Sequence, residues 1–295
     1  MFDLRYHVAS LAAVFFALVI GILVGVALAS HGLGHAERQR LERDLRIAQS
    51  NNDSLQQALD EYQADHAFVG NAYAALMQDR LKGKRIAVLF IGSADRAVRS
   101  AVTRTVDDAG GTILRMRAIT VPIDPHAIDS AIGKRPPLAS FTTGPKRFNH
   151  IGIELADEFV VGGDTPIWNA LESQLVEERR GSDKGPVDAV VVVRTVPPQT
   201  KAQTAQLLGG MLDELVTQPI PVAGVEARKT KPSAIPAFTR YGLSTVSDVD
   251  LPVGRVALAV VLSGTDTGNG HYGLRPGEDV APNVPPVANQ VTTGG

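Results

Sequence analysis

An uncharged, apolar run occupies residues 8–30, close to the start of the chain. At about 1.5 Å per residue, a helix of this length covers the hydrocarbon core of a bilayer, which is about 30 Å thick. A buried helix of a soluble protein would normally show a polar stripe, and this run has none. A cleaved signal peptide is the alternative, because Ala27-Leu28-Ala29 resembles a small-x-small cleavage site. The run exceeds the usual apolar stretch of a signal peptide, about 7–15 residues, so we expect a retained transmembrane helix within residues 1–30.

Small residues recur at every fourth position of this run, namely at Ala17, Gly21, Gly25 and Ala29. Residues at this spacing share one helix face, and small side chains there let two backbones approach closely. Glycine and alanine are common in membrane helices, so this pattern alone is weak evidence of pairing. The heptad repeat that follows it strengthens that evidence. Together the two patterns predict that two copies of the chain pair along this helix.

A heptad pattern follows the glycine-containing joint at residues 31–34. Its seam advances in alternate steps of four and three residues, the a/d spacing of a coiled coil, through Leu41, Leu45, Ala48, Asn52, Leu55, Leu59, Tyr62, His66, Val69, Tyr73 and Leu76. Asn52 falls at an a position, where a buried asparagine selects a two-stranded parallel register. His66 is either a pH- or metal-responsive pair across the seam or, more commonly for such positions, a tolerated polar break. We expect residues 31–82 to form a dimeric neck.

Beyond Gly83, apolar runs typical of buried strands alternate with helical segments. We expect strands near residues 86–91, 112–120, 188–195, 220–226 and 255–263, and helices near 95–108, 149–161, 165–180 and 201–217. This alternation predicts an α/β domain with a parallel, Rossmann-like or flavodoxin-like sheet over residues 83–264. Gly, Pro, Thr and Asn dominate residues 265–295, which we expect to be largely disordered.

The predicted sheet carries no recognisable catalytic motif. The loop 92–95 could present backbone amides to an anion, but GxGxxG, GxxxxGK[ST] and GxSxG are absent, and Ser93 is expected to be a turn or cap residue. Asp248 and Asp250 could bind a hard cation, although turn and capping roles are commoner. The absence of cysteine excludes disulfides, zinc–thiolate sites and cysteine nucleophiles. Because 29 basic residues nearly balance 31 acidic ones, no nucleic-acid partner is indicated. We expect neither enzymatic activity nor a resident cofactor.

Two separated stretches resemble the actinobacterial copper transporter family, to which mycobacterial copper transport protein B belongs. The first is FDLRYHVASLAAVFFALVIGILVG at residues 2–25. The second comprises STVSDVD at residues 244–250, the Gly254-Arg255 pair and GHYG at residues 270–273. The similarity in architecture extends over nearly the whole chain, while residues 120–180 match by pattern alone. The resemblance implies a cell-envelope protein with a role in copper export or homeostasis, in a family whose mycobacterial member is described as a channel-forming outer-membrane protein.

Two arguments disagree about the orientation of the apolar helix. The positive-inside rule weighs Arg5 before the helix against the arginines after it, which favours a cytoplasmic C-terminal domain; those arginines are Arg38, Arg40, Arg43 and Arg46. The family resemblance implies an extracytoplasmic C-terminal domain instead. We take the orientation that the family implies.

Residues suited to copper are sparse in this sequence. There is no cysteine and there are four methionines, although Cu(I) prefers thiolate and thioether ligands. His31 and His35 would share a helix face and could bind Cu(II), but solvated linker histidines are the default. His271 is the other candidate ligand, with a structural turn as the alternative. One helix cannot enclose a pore, so a channel would require oligomers. Two hypotheses follow: an oligomeric copper transport or homeostasis component, and a non-transporting dimeric scaffold or sensor.

Overall fold

The computed structural model describes residues 4–195, 201–265 and 269–283. Within the first helix, the described part excludes the side chains of residues 4–9, 29–33, 35–36, 64–66 and 68–69. The chain divides into two compact units, Met1–Ala67 and Phe68–Gly295.

A single helix, α1, runs from Leu4 to Met77. Among the described residues, one segment, Ser10–Leu28, is long and apolar enough to cross a membrane, with a mean hydropathy of 2.9. Residues 31–34, which we expected to form a joint, are helical in backbone. The two glycines of this segment therefore do not interrupt the helix.

The second unit is built on a seven-stranded sheet with the order β3-β2-β1-β4-β5-β6-β7. All neighbouring strands are parallel except β2 and β3, which are antiparallel. The strands are β1 (Arg85–Ile91), β2 (Thr112–Ile119), β3 (Val176–Gly181), β4 (Ala189–Arg194), β5 (Val222–Val225), β6 (Ser244–Val246) and β7 (His271–Tyr272). The predicted α/β class is confirmed, with a sheet that is mostly rather than wholly parallel.

Helices cover both faces of the sheet, because every residue of β1 from Ile86 to Ile91 is buried and successive side chains point to opposite faces. One face packs against α2 (Arg96–Asp108), α8 (Pro252–Ser263) and the end of α1. The other face packs against α3 (Pro125–Gly133), a 3₁₀ helix (Pro136–Thr142), α4 (Arg147–Val161), α5 (Pro166–Leu175), α6 (Ala202–Thr217) and α7 (Ile235–Arg240). The result is a three-layer α/β/α arrangement.

Two glycines set the distance between α4 and α6. A Cβ added to Gly152 would lie 2.1 Å from the Leu207 carbonyl oxygen, and one added to Gly210 would lie 2.1 Å from the Asn149 carbonyl oxygen. Each glycine thus faces the backbone of the other helix at the crossing point. The two helices pack at a separation that no side chain at these positions allows.

The buried carboxylate of Glu158, in α4, caps the N-terminus of the next helix, α5. Its two oxygens accept hydrogen bonds from the backbone amides of Ile167 and Trp168, at 2.9 and 3.0 Å. Burial raises the pKa of Glu158 above its usual range, although the two amide hydrogen bonds oppose that shift. The side chain therefore substitutes for a local N-cap residue at the start of α5.

The C-terminal end of α1 is part of the α/β unit. The Tyr73 hydroxyl donates to Asp108 of α2 at 2.7 Å, and the Arg255 guanidinium lies 4.8 Å from the centre of the Tyr73 ring. Met77 and Leu81 are buried in the core layer beneath α2 and α8. The segment from Tyr73 to Leu81, which the sequence places in the neck, thus packs with the sheet.

The prediction of a strand at residues 255–263 was wrong, because this segment lies within helix α8. Its continuous apolar run fits a buried helix as well as a buried strand, and periodicity cannot separate the two. The deciding signals were local: Pro252 stands at the first helical position, and Gly264 ends the helix in the left-handed conformation with φ +76°.

Two further expectations were wrong in part. The helix expected over residues 165–180 ends at Leu175, and the chain continues directly as the antiparallel edge strand β3. Residues 269–283, expected to be disordered, contain β7, which pairs with β6. The expectation of disorder for residues 266–268 and 284–295 falls outside the described residues.

Candidate functional site

The apolar segment of α1 exposes its side chains along its length. The large apolar residues between Leu11 and Leu28 are all exposed. Ala17, Gly21 and Gly25 lie among them, and a Cβ added to either glycine would meet no atom within 4 Å. The side chain of Ala29, the fourth predicted small position, lies outside the described part. Pairing of two copies along this face stays a prediction.

A second apolar face follows on the same helix. Its large members are 58–72% exposed, namely Leu41, Leu45, Leu55, Leu59 and Tyr62. Asn52 lies among them and is exposed as well. We call the seam positions from Leu41 to Tyr62 the heptad face. Nothing in the described part of the first unit covers it, and the coiled coil that it predicts requires a second helix.

The predicted seam does not extend to its last two positions. Tyr73 and Leu76 pack against the layer formed by α2 and α8, rather than lying on an open face. Burial, together with the hydrogen bond to Asp108, also raises the pKa of the Tyr73 hydroxyl. These two residues therefore already have partners within their own chain, and a coiled coil must end before Tyr73.

The histidines proposed as metal ligands are not brought together by any described contact. The backbone is helical at both His31 and His35, as their shared face requires, while their side chains lie outside the described part. His271 lies in β7, and its Nδ1 is 3.0 Å from the Thr245 hydroxyl oxygen. The described residues contain no group of three His, Cys, Asp or Glu side chains arranged to hold a metal. Copper binding by these histidines stays a prediction.

The carboxyl ends of the parallel strands carry the polar loops that sequence reasoning singled out. Asp95 caps α2 by accepting a hydrogen bond from the Val98 amide at 2.8 Å, and Ser93 donates to Glu177 at 3.1 Å. Asp250 accepts from the Arg228 amide at 2.8 Å. The contact of Asp95 is that of a helix cap, whereas Ser93 and Asp250 each bind a group that is remote in sequence. Asp248 differs, because it is only 1% exposed and lies against the segment after β7.

A cleft of about 330 Å³ lies at the carboxyl ends of β1, β4 and β5, beside these loops. Such clefts are the usual ligand positions of doubly wound sheets. Basic side chains line it together with acidic ones: Asp95, Arg194, Glu226, Lys229 and Lys231. Asp95 is used as a helix cap, and the Glu226 carboxylate pairs with Arg275. The two acidic side chains of the cleft thus serve structural roles in the described contacts.

Comparison with known proteins bears on both units. The family model described as "Copper transport outer membrane protein, MctB" matches residues 1–282. A search of curated proteins finds no match. The matched range includes the apolar segment of α1, the heptad face and all seven strands. The same family was indicated by the N-terminal run and by the sequence around Asp248 and His271. The chain belongs to the MctB family of copper transport outer membrane proteins.

Proposed function

We propose that this protein is a membrane-anchored component of copper export or copper homeostasis in the cell envelope, and that it acts as an oligomer paired along α1. The observation that carries this proposal is the family match over residues 1–282, which spans the apolar segment as well as the α/β unit. Copper is the cargo here, and no resident cofactor is invoked.

The apolar segment Ser10–Leu28 supports membrane anchoring. Its exposed side chains are favourable in lipid and unfavourable in water, because each large apolar side chain contributes about 1.5–3 kcal/mol on leaving water. The α/β unit then lies on one side of the bilayer, and we assign it to the extracytoplasmic side. A protease added to spheroplasts, from which the outer envelope has been removed, tests this orientation, since it reaches only an extracytoplasmic α/β unit.

The heptad face supports pairing of two copies. Leucines at a and d positions form such a seam, and Asn52 at an a position is compatible with a parallel dimer. Parallel pairing also follows from the anchor, because two copies inserted in one membrane with the same orientation present the heptad face in the same direction. A transport pathway, if this protein conducts copper directly, needs such oligomers because one helix encloses no pore.

The test of the proposal is cellular copper content under copper load, with and without this gene. We expect copper to accumulate in its absence and to return to normal when the wild-type gene is restored. Restoration with Leu55→Asp and Leu59→Asp should fail if oligomerisation is required. The matched control is Ser50→Asp and Gln57→Asp, which adds the same charge to exposed positions of α1 outside the seam. Unchanged copper content in the deleted strain would contradict the proposal.

The second candidate is a non-transporting dimeric scaffold or sensor. The absence of a three-ligand metal group among the described residues favours it, as does the scarcity of soft ligands for Cu(I). A measurement of copper-ion flux distinguishes the two candidate functions. Purified protein in liposomes conducts copper ions if it forms the pathway, and leaves the ion gradient intact if it is a scaffold.

A further inference from the structure

Two carboxylates meet at one hydroxyl group, where the carboxyl ends of β6 and β7 lie side by side. The Ser247 hydroxyl oxygen lies 3.0 Å from Asp248 Oδ2 and 2.6 Å from Glu278 Oε2. Asp248 and Ser247 directly follow β6, whereas Glu278 belongs to the segment after β7. The cluster therefore joins the sheet to a segment that lies 31 residues further along the chain.

The negative charge of this cluster is not balanced by a side chain. Backbone amides contribute two hydrogen bonds, from Leu274 to Asp248 Oδ2 at 2.7 Å and from Arg275 to Glu278 Oε2 at 3.1 Å. The Arg275 guanidinium is committed elsewhere, since it pairs with Glu226 and donates to Ser233 at 2.7 Å. Among the described residues, no Lys, Arg or His forms an ion pair with Asp248 or Glu278.

One oxygen of the cluster has no partner at all among the described residues. Asp248 is 1% exposed, and its Oδ1 accepts no hydrogen bond there. A buried carboxylate oxygen that is neither solvated nor hydrogen-bonded lowers the stability of the folded state. Its presence in a native protein therefore indicates a missing partner. The Ser247 hydroxyl has one hydrogen, so it satisfies only one of the two carboxylates beside it.

Gly273 keeps the space beside these oxygens free of any side chain. A Cβ added there would lie 2.0 Å from Ser247 Oγ, 2.3 Å from Glu278 Oε2 and 2.9 Å from Asp248 Oδ2. Any other residue at this position would push the three oxygens apart. The arrangement of the cluster thus depends on a glycine from the same segment that supplies Glu278.

We infer that Asp248, Ser247 and Glu278 form a binding site for one hard divalent cation of the Ca²⁺ or Mg²⁺ type. The donor set is entirely oxygen, which suits these cations and is poorly suited to Cu(I). Two carboxylates supply the charge, and waters complete the coordination shell. The cation neutralises the cluster and fastens residues 273–278 to the end of β6. Ligation by both oxygens of the Asp248 carboxylate would also give Oδ1 its partner. This site is independent of the copper function proposed above.

The test is binding of CaCl₂ and MgCl₂ to the full chain in detergent micelles, measured by equilibrium dialysis with metal analysis. With two carboxylates, we expect an affinity like that of extracellular Ca²⁺ modules, with a dissociation constant of about 0.1–1 mM and roughly one ion per chain. At ten times that constant, the unfolding temperature of the α/β unit should rise by about 3–6 °C.

Two variants and one matched control localise the binding. Asp248→Asn and Glu278→Gln should each weaken binding at least tenfold, because each removes half of the anionic charge at the site. Asp279→Asn makes the same change at the next residue, whose side chain is exposed and outside the cluster, and should bind as the wild type does. Far-ultraviolet circular dichroism verifies that each variant is folded before its binding is compared.

Three results would overturn the inference. The first is no saturable binding of either cation up to about 10 mM, roughly ten times the weakest constant expected. The second is binding that survives in both folded variants. The third is binding of Cu²⁺ alone with the same sensitivity to the variants, which would show that the site does not select hard cations.

Discussion

Replacing Gly152 with alanine tests the close packing of α4 on α6. The added Cβ would lie 2.1 Å from the Leu207 carbonyl oxygen, whereas ordinary carbon–oxygen contacts lie at about 3.3 Å or more. Relief therefore requires the two backbones to separate by about 1 Å, since the Leu207 oxygen belongs to the helix itself. Gly210→Ala meets the same obstacle from the other side, against the Asn149 carbonyl oxygen.

The expected cost exceeds the gain in helix propensity. Overpacking of a well-packed core costs about 1–3 kcal/mol, and a 2.1 Å contact with a backbone atom belongs to the upper half of that range, about 2–3 kcal/mol. Replacing a helical glycine with alanine returns at most about 1 kcal/mol. Each of these variants should therefore lower the free energy of unfolding by about 1–2 kcal/mol and the unfolding temperature by about 2–8 °C. Together they should cost at least about 0.5 kcal/mol less than the sum, because one separation of the helices relieves both contacts.

Unfolding of this layer is followed by the fluorescence of Trp168, the single tryptophan of the chain. This side chain is 2% exposed and donates from Nε1 to the Leu155 carbonyl of α4 at 2.8 Å. The matched control is Gly209→Ala in α6, whose Cβ would lie 3.4 Å from the Tyr241 hydroxyl oxygen and should not destabilise the protein. If Gly152→Ala were as stable as this control, the reasoning on backbone contact would be refuted.

Three other outcomes follow from contacts described above. A fragment of residues 31–295 should be dimeric by light scattering at micromolar concentration, and Leu55→Asp with Leu59→Asp should make it monomeric while the α/β unit stays folded. Tyr73→Phe should lower the free energy of unfolding by about 0.5–1.5 kcal/mol, because it removes the hydrogen bond to Asp108, and an unchanged unfolding curve would contradict this. The raised pKa of Glu158 means that the folded state binds more protons, so stability is greatest below the ordinary carboxylate pKa and declines as pH rises through the folded value. Relative to Glu158→Gln, the wild type should therefore lose stability in denaturant titrations as the pH rises above the ordinary glutamate pKa of about 4.3, and a wild type that gained stability over this rise would contradict the sign.

The sequence predicted most strands of the sheet because they are short apolar runs bounded by turn residues. Residues 86–91 and 188–195 are examples, and both contain strands of the observed sheet. It failed at residues 255–263, where burial on all sides removes the periodicity that separates helix from strand. It also missed β3, whose charged residues Glu177, Glu178, Arg179 and Arg180 give no apolar run. That strand forms at the sheet edge through pairing with β2, which local sequence does not report.

The candidate sites also differ in whether the sequence could predict them. The heptad face could be read from spacing alone, since its repeat is local. The cluster around Asp248 could not, because Glu278 and Gly273 lie in a segment whose composition indicated disorder. The DxD pair was the one local signal, and it placed equal weight on Asp250, which proves to be an exposed turn residue.

The burial of Met77 and Leu81 has a practical consequence for obtaining the α/β unit separately. A fragment that begins at Gly83 would lack both side chains and leave two cavities in the core. Each missing side chain would lower the free energy of unfolding by about 1.5–3 kcal/mol. Since whole domains are stable by only about 5–15 kcal/mol, such a fragment would be prone to aggregate. Expression should start upstream of Tyr73, and limited proteolysis of the native chain should leave residues 73–82 attached to the resistant product.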